Sequence, residues 1–460
     1  MPARPEPSPR PRRVLGPLDA TSVVVGAIVG VGIFFTPSKV AALTGSTGLS
    51  LAAWGLAGFI ALCGAFTFAE LGGVYHASGA QYDILRDAYG PFPAFLFVFC
   101  NATAVQGGSI GIIALICAFN LLGAVGNGPS SGFAEPLVLV IAVTLILALM
   151  LANMLGVRWG SRIQNVTVLA KLAALLAVVG LAAFATPSRA APPAPAAPPL
   201  GLVAAVMAAL VPCLFAYGGW QQALWISGEV KEPRRNLPRA ILGGVLIVVA
   251  VYLLANWAFL HLLGAPAVAS SKALAADAVA LVLPGLGRRL VAAAVAVSAF
   301  GVLNAQLLTG PRLVYGMACD GRFFQPFAAL SPRLGTPLAA IAMIGLTALA
   351  LLLAAGPGGI DRLLNGLVFI DGVFFALTGG ALLLLRRKGM AGPATGFRAP
   401  GYPVLPLLFV VGELGVVVGA YLDPAVRGAA FIGLGWIAAA ALLYALRFRT
   451  RPQPIDRGPS

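Results

Sequence analysis

The chemistry this sequence offers lies in two stretches of backbone, not in a cluster of reactive side chains. Gly26-Ala27-Ile28-Val29-Gly30-Val31-Gly32-Ile33-Phe34 places glycines two apart inside an apolar segment, with Pro37 close behind. Phe215-Ala216-Tyr217-Gly218-Gly219-Trp220, preceded by Pro212, repeats the device later in the chain. Glycine weakens helix continuity and proline removes a backbone donor, so each segment is expected to break a helix near its middle. In lipid an unwound backbone is tolerated only against protein or a water-filled cavity, because every unpaired amide or carbonyl is costly. Two breaks meeting at mid-depth make a polar site without a charged side chain. Freed N–H groups suit a carboxylate and freed carbonyls suit an ammonium, which are the two ends of an α-amino acid. Taken singly, either glycine cluster reads equally well as a close-packing face between helices. Their separation by five spans favours the breaks: an odd offset inverts the second copy, and paired interrupted segments mark inverted-repeat transporters.

Charged residues inside apolar stretches come next. Lys171 sits in QNVTVLAKLAALLAVV, where a charge is expected to face the bundle interior and mark an ion or proton pathway; the plainer reading is a lysine snorkelling to the interface. Glu229, Lys231, Glu232, Arg234 and Arg235 follow the second break. They form either an ordinary solvated loop or a lock in which Glu229 pairs with Arg86. Asp371 either lines the cavity or caps a packing network, and Glu413 is expected to be structural. Trp220 and Trp225 read as packing or interfacial residues, and two histidines, His76 and His261, give a proton relay little to build on.

The elements that must position these residues are membrane helices. The chain has 460 residues, 59% of them hydrophobic and 10% charged, with a mean hydropathy of +0.93. No soluble core hides that much apolar surface. A spanning helix needs about 20 apolar residues, and twelve such segments follow at approximately 18–43, 51–75, 93–123, 135–155, 161–185, 201–227, 238–263, 288–318, 336–356, 362–385, 403–422 and 426–446. The expected organisation is a cytoplasmic tail over 1–16, a transmembrane domain over 17–447 and a second tail over 448–460. Within the domain, repeat one covers 17–185, repeat two 201–387, and two further helices 403–447. The Pro/Ala run from Pro187 to Pro199 is a linker, since proline cannot sit in a helix interior. With the N-terminus inside, 22 Lys and Arg fall on the inner face and 6 on the outer, so both termini are expected to be cytoplasmic. The net charge of +15 is spread between greasy segments, which argues against nucleic acid. The five cysteines are odd in number and lie in or at the ends of apolar segments, which argues against disulfides and metal.

These residues together resemble the amino acid, polyamine and organocation superfamily, particularly its L-type amino acid transporter branch. The resemblance rests on GAIVGVGIF in the first span and on LFAYGGWQQALWISGEVKEPRRNLPRAI from Leu214 to Ile241. ELGGVYHASGAQYDILRDAYGPFPAFL from Glu70, NAQLLTGPRLVYGMACDGRFF from Asn304 and FRAPGYPVLPLL from Phe397 agree with it. It implies an all-α polytopic protein of the LeuT type, with helices 1–5 and 6–10 as inverted repeats and helices 1 and 6 broken. It further implies that the substrate carboxylate meets the amides of Gly30, Val31 and Gly32. The amine would meet carbonyls near Ile28 and those of Phe215, Ala216 and Gly218, with Tyr217 in the same segment and Phe215 as the aromatic gate. A lysine matching Lys171 substitutes for a sodium ion in sodium-independent relatives. Two departures stand out: Val31 replaces a common hydroxyl residue, and Gln221 stands where L-type members commonly carry Asn.

A sodium-independent, proton-coupled transporter of a neutral amino acid in the cell membrane is therefore expected, with no cofactor. The neutral preference follows from small residues, Ala299, Gly301 and Ala305, that the eighth span brings to the cavity. An exchanger, a carrier of cationic amino acids or polyamines, and a nutrient receptor on the same scaffold are the alternatives. A channel would need a repeated filter motif and an enzyme a clustered acid, base or metal set; neither is present.

Overall fold

The computed structural model describes residues 11–128, 136–185, 201–355, 360–391, 396–422 and 424–449. The expected linker from Pro187 to Pro199, most of both tails, and Arg189 lie outside the described residues, as do the side chains of Arg362 and Arg427.

The first apolar stretch folds as α1 (Pro17–Ile28), a single 3-10 turn at Gly32–Phe34, and α2 (Thr36–Thr44). Pro17 and Pro37 each stand in a first turn, where proline gives up a donor the helix does not use. α3 (Thr47–Val74) is capped by Ser46, whose hydroxyl accepts from the Leu49 amide at 3.2 Å. A short α4 (Ala80–Tyr89) leads into α5 (Pro91–Cys100), a π turn at Asn101–Gln106, and α6 (Gly107–Ala124). α7 (Pro136–Met154) and α8 (Val157–Phe184) follow. The second broken stretch comprises α9 (Leu202–Tyr217) and the single turn α10 (Gln222–Trp225). Pro212 lies within α9, and the chain leaves the helix only at Gly218 and Gly219. The remainder is α11 (Pro233–Leu263), α12 (Ala265–Ser270), α13 (Leu274–Val282), α14 (Gly287–Cys319), α15 (Leu338–Ala355), α16 (Ile360–Arg387), α17 (Val404–Leu422) and α18 (Pro424–Leu443).

Among the described residues, eight helical segments are long and apolar enough to cross a membrane, and three shorter apolar helices accompany them. Helix falls within each of the twelve expected stretches. Apolar side chains such as Leu151, Leu169, Leu246 and Val411 project outward, as lipid requires. Two helix groups face each other. In one, α3 packs on α11 and α9, and α1 packs on α11; in the other, α6 packs on α14, α15 and α7. α8 touches both α1 and α14, while α17 lies against α16 and α3.

Candidate functional site

The two breaks meet. Gly219 has φ +118°, a conformation open to glycine, and a β-carbon there would stand 2.6 Å from the carbonyl oxygen of Ala27. A β-carbon on Gly32 would lie 3.9 Å from that of Ala216. Around this crossing is a cavity of about 440 Å³, lined by both breaks, the π turn, and parts of α14, α16 and α17. Ile28, Gly30, Val31, Gly32, Phe215, Ala216, Tyr217 and Gly218 all line it.

The local hydrogen bonds decide which backbone groups are free. The amide of Gly30 donates to Ile28 O at 2.7 Å, and the amides of Val31, Gly32 and Ile33 find no backbone acceptor among the described residues. Gly30 is therefore engaged, and the open donors are shifted along the chain from those the resemblance implies. The Ile28 carbonyl is engaged twice, by Gly30 and by the Tyr252 hydroxyl at 2.9 Å, which uses its two lone pairs. Gly218 donates to Phe215 O at 3.1 Å, whereas the carbonyls of Ala216 and Gly218 accept no backbone donor among the described residues. Phe215 is 45% exposed and lines the cavity. Tyr217 is 2% exposed and packs edge-on against Trp54.

Lys171 stands just behind the first break. Its Nζ donates to Gly26 O at 2.8 Å and to Val29 O at 2.6 Å, and the side chain is 1% exposed. Snorkelling is thus corrected: the ammonium ties down the carbonyls that the end of α1 leaves free. Ser298 adds a hydrogen bond to Val29 O at 3.2 Å. Gly301 makes room for this arrangement, since a β-carbon would lie 2.8 Å from Thr167 Oγ1 and 3.4 Å from Lys171 Nζ. The α14 face lining the cavity is Val302 and Gln306, in place of the expected Ala299, Gly301 and Ala305. Asp371 and Glu413 both line the cavity, so Glu413, expected to be structural, faces the site.

At the basic end of the bundle, Glu229 and Arg86 take different partners. Glu229 Oε1 accepts from Arg312 Nε at 3.1 Å and Nη2 at 3.0 Å, with both side chains no more than 2% exposed. Arg312 is inside α14. Arg86 instead meets Asp83 and Asp87 at 2.9 Å and Asp320 at 3.0 Å. Burial works against its charge, but the surrounding aspartates outweigh that, and its pKa is raised. Glu70 holds Arg386 and the Ala399 amide, with the Arg386 guanidinium 4.0 Å from the Tyr402 ring centre. Leu15 and Val230 pair in a short parallel bridge, Leu15 N to Glu229 O and Lys231 N to Leu15 O, each 2.9 Å. Sequence reasoning missed Tyr252, Arg312 and the Glu70–Arg386 pair; the one available signal was an acidic residue at 70 inside an apolar span.

Among the described residues the chain is a bundle of membrane-length helices with two helix breaks lining one cavity, and the comparisons place it in the class of amino acid transport proteins. The family described as "Amino acid permease" matches residues 15–446, so the chain belongs to the amino acid permease family of the amino acid, polyamine and organocation superfamily. Among its relatives is the serine/threonine exchanger SteT of Bacillus subtilis (strain 168), 30% identical over 410 residues, 88% of this chain and 90% of that one. The human b(0,+)-type amino acid transporter 1 is 32% identical over 83% of this chain and 78% of its own length. The human large neutral amino acids transporter small subunit 2 is 29% identical over 95% of this chain and 80% of its own. This is a multi-pass membrane protein of an amino acid transport family, not an enzyme.

Proposed function

We propose that the protein is a secondary transporter moving an α-amino acid across the cell membrane by alternating access, without sodium. The observation that carries this is the pairing, on one cavity, of unbonded amides at Val31 and Gly32 with unbonded carbonyls at Ala216 and Gly218. The amides receive the carboxylate and the carbonyls receive the ammonium. Largely apolar walls beside them suit neutral side chains, and Phe215 closes over the bound substrate. When protonated, Lys171 brings a positive charge to the carbonyls of Gly26 and Val29, which makes a sodium ion redundant there, and gain and loss of that proton couple transport to pH.

The supporting frame is a twelve-span, LeuT-type fold with repeats over 17–185 and 201–387 and both termini in the cytoplasm. The inner face is the basic end, where Glu229–Arg312, Arg86–Asp320 and Glu70–Arg386 hold the path shut. The expected Glu229–Arg86 lock is thereby recast as two separate ties. Exchange is the second reading, supported by the exchanger among the relatives. Purified protein in proteoliposomes, offered radiolabelled amino acids with and without a proton gradient, sodium and internal amino acid, separates the readings. Accumulation with a proton gradient and no sodium supports symport; uptake only against internal amino acid supports exchange. Binding without accumulation would make the protein a receptor.

A further inference from the structure

The cavity has a surplus of acceptors that an α-amino acid head does not use. Asp371 on α16 and Glu413 on α17 both line it, and neither carboxylate meets a cation or a hydrogen-bond donor among the described residues. They flank one tight helix crossing: a β-carbon on Gly372 would lie 2.9 Å from Val417 Cγ2 and 3.8 Å from the Glu413 carbonyl oxygen. Three glutamines on the same cavity add a second, independent observation. Gln106, Gln221 and Gln306 are 2%, 5% and 7% exposed, and each has a buried side-chain oxygen with no partner among the described residues.

We propose that Asp371 and Glu413, backed by these glutamine amides, form a distal subsite for the ammonium or guanidinium of a basic amino acid side chain. This rests on the transport reading above and extends the substrate class beyond neutral residues. The reasoning is donor balance. The breaks satisfy the carboxylate and the α-ammonium, and what remains on the wall is two carboxyl groups and a set of unpaired oxygens. Closing the cavity over an aliphatic side chain would bury them all unpaired, which is costly for a polar group and more so for a charge. A lysine side chain brings three donors and arginine five, each with one positive charge. The apolar lining of Val416, Phe375 and Ile112 suits the methylene stem that precedes the charged head. Exchanging oxygen and nitrogen in any glutamine leaves the two carboxylates unchanged.

The test is competition for uptake of a radiolabelled neutral amino acid in proteoliposomes, comparing arginine with citrulline, which has nearly its shape without the charge. The wild type should be inhibited by arginine at a concentration about ten-fold lower than by citrulline. In Asp371→Asn/Glu413→Gln that gap should close to about two-fold or less. If the wild type accumulates neutral amino acids while arginine competes no better than citrulline, the subsite is refuted and the transport reading stands. The subsite is refuted as well if the double variant keeps the gap. A pair whose neutralisation alters only the pH profile of uptake would be a proton site, which also overturns the proposal. If no amino acid is accumulated at all, it is the transport reading that fails.

Discussion

Replacing Glu229 by Gln should loosen the basic end of the bundle. Arg312 Nε and Nη2 sit 3.1 and 3.0 Å from one carboxylate oxygen, and no other salt bridge involves Arg312 among the described residues. Among the described residues Arg312 Nη1 and Glu229 Oε2 already lack partners, so the pair has no reserve of hydrogen bonds there. Removing one member of a buried pair costs about 3–5 kcal/mol, because the other charge is left uncompensated. The cost falls on the closed conformation, since opening admits water to the guanidinium. At the lower end of that range, about 3 kcal/mol, the closed-to-open ratio drops by roughly 150-fold. Hydrogen exchange reads this directly at the amides of Leu15 and Lys231, whose bridge is anchored at Glu229. Both should lose protection by about two orders of magnitude in Glu229→Gln. In Glu229→Gln/Arg312→Gln no buried charge remains, and much of that loss should be recovered. Unchanged protection in the single variant, or additive damage in the double, would refute the assignment of this pair as the lock.

Three further outcomes are expected. Lys171→Ala leaves Gly26 O and Val29 O without their ammonium donor and should abolish accumulation or flatten its pH profile; uptake unaltered in both respects contradicts the role given to this lysine. Gly219→Ala places a β-carbon 2.6 Å from Ala27 O at φ +118°, and should cost about 1–3 kcal/mol of strain, seen as a lower thermal midpoint in detergent together with lost substrate binding. His76, held by burial and by Arg234 below its ordinary pKa of 6.5, binds fewer protons folded than unfolded. Its stabilising contribution is present above pH 6.5 and is lost as pH falls through the folded value, so His76→Gln should flatten the fall of the thermal midpoint below pH 6.5.

The breaks were legible because glycines at 26, 30, 32, 218 and 219 and the flanking prolines act locally, through backbone freedom and missing donors. Which amides stay free was not, since the inward turn of Gly30 onto Ile28 and the capture of that carbonyl by Tyr252 depend on where α11 packs. Lys171 was legible as a buried charge but its partners were not: they lie 145 and 142 residues away in sequence. Arg312 fell inside the expected span 288–318, but its partner was not legible, since Glu229 lies 83 residues away in sequence. Glu413 was assigned a structural part from its place beyond the two repeats, yet α17 leans on α16 closely enough to turn that carboxylate into the cavity.

The central claim is that the two breaks form one amino acid site used for transport, and uptake in proteoliposomes tests it most directly. Sealed vesicles containing the protein should accumulate a radiolabelled α-amino acid without sodium, and the corresponding compounds lacking either the α-carboxylate or the α-amine should fail to compete. Competition by the decarboxylated amine as strong as that by the parent amino acid, or binding with no accumulation under any gradient or internal substrate, would contradict it.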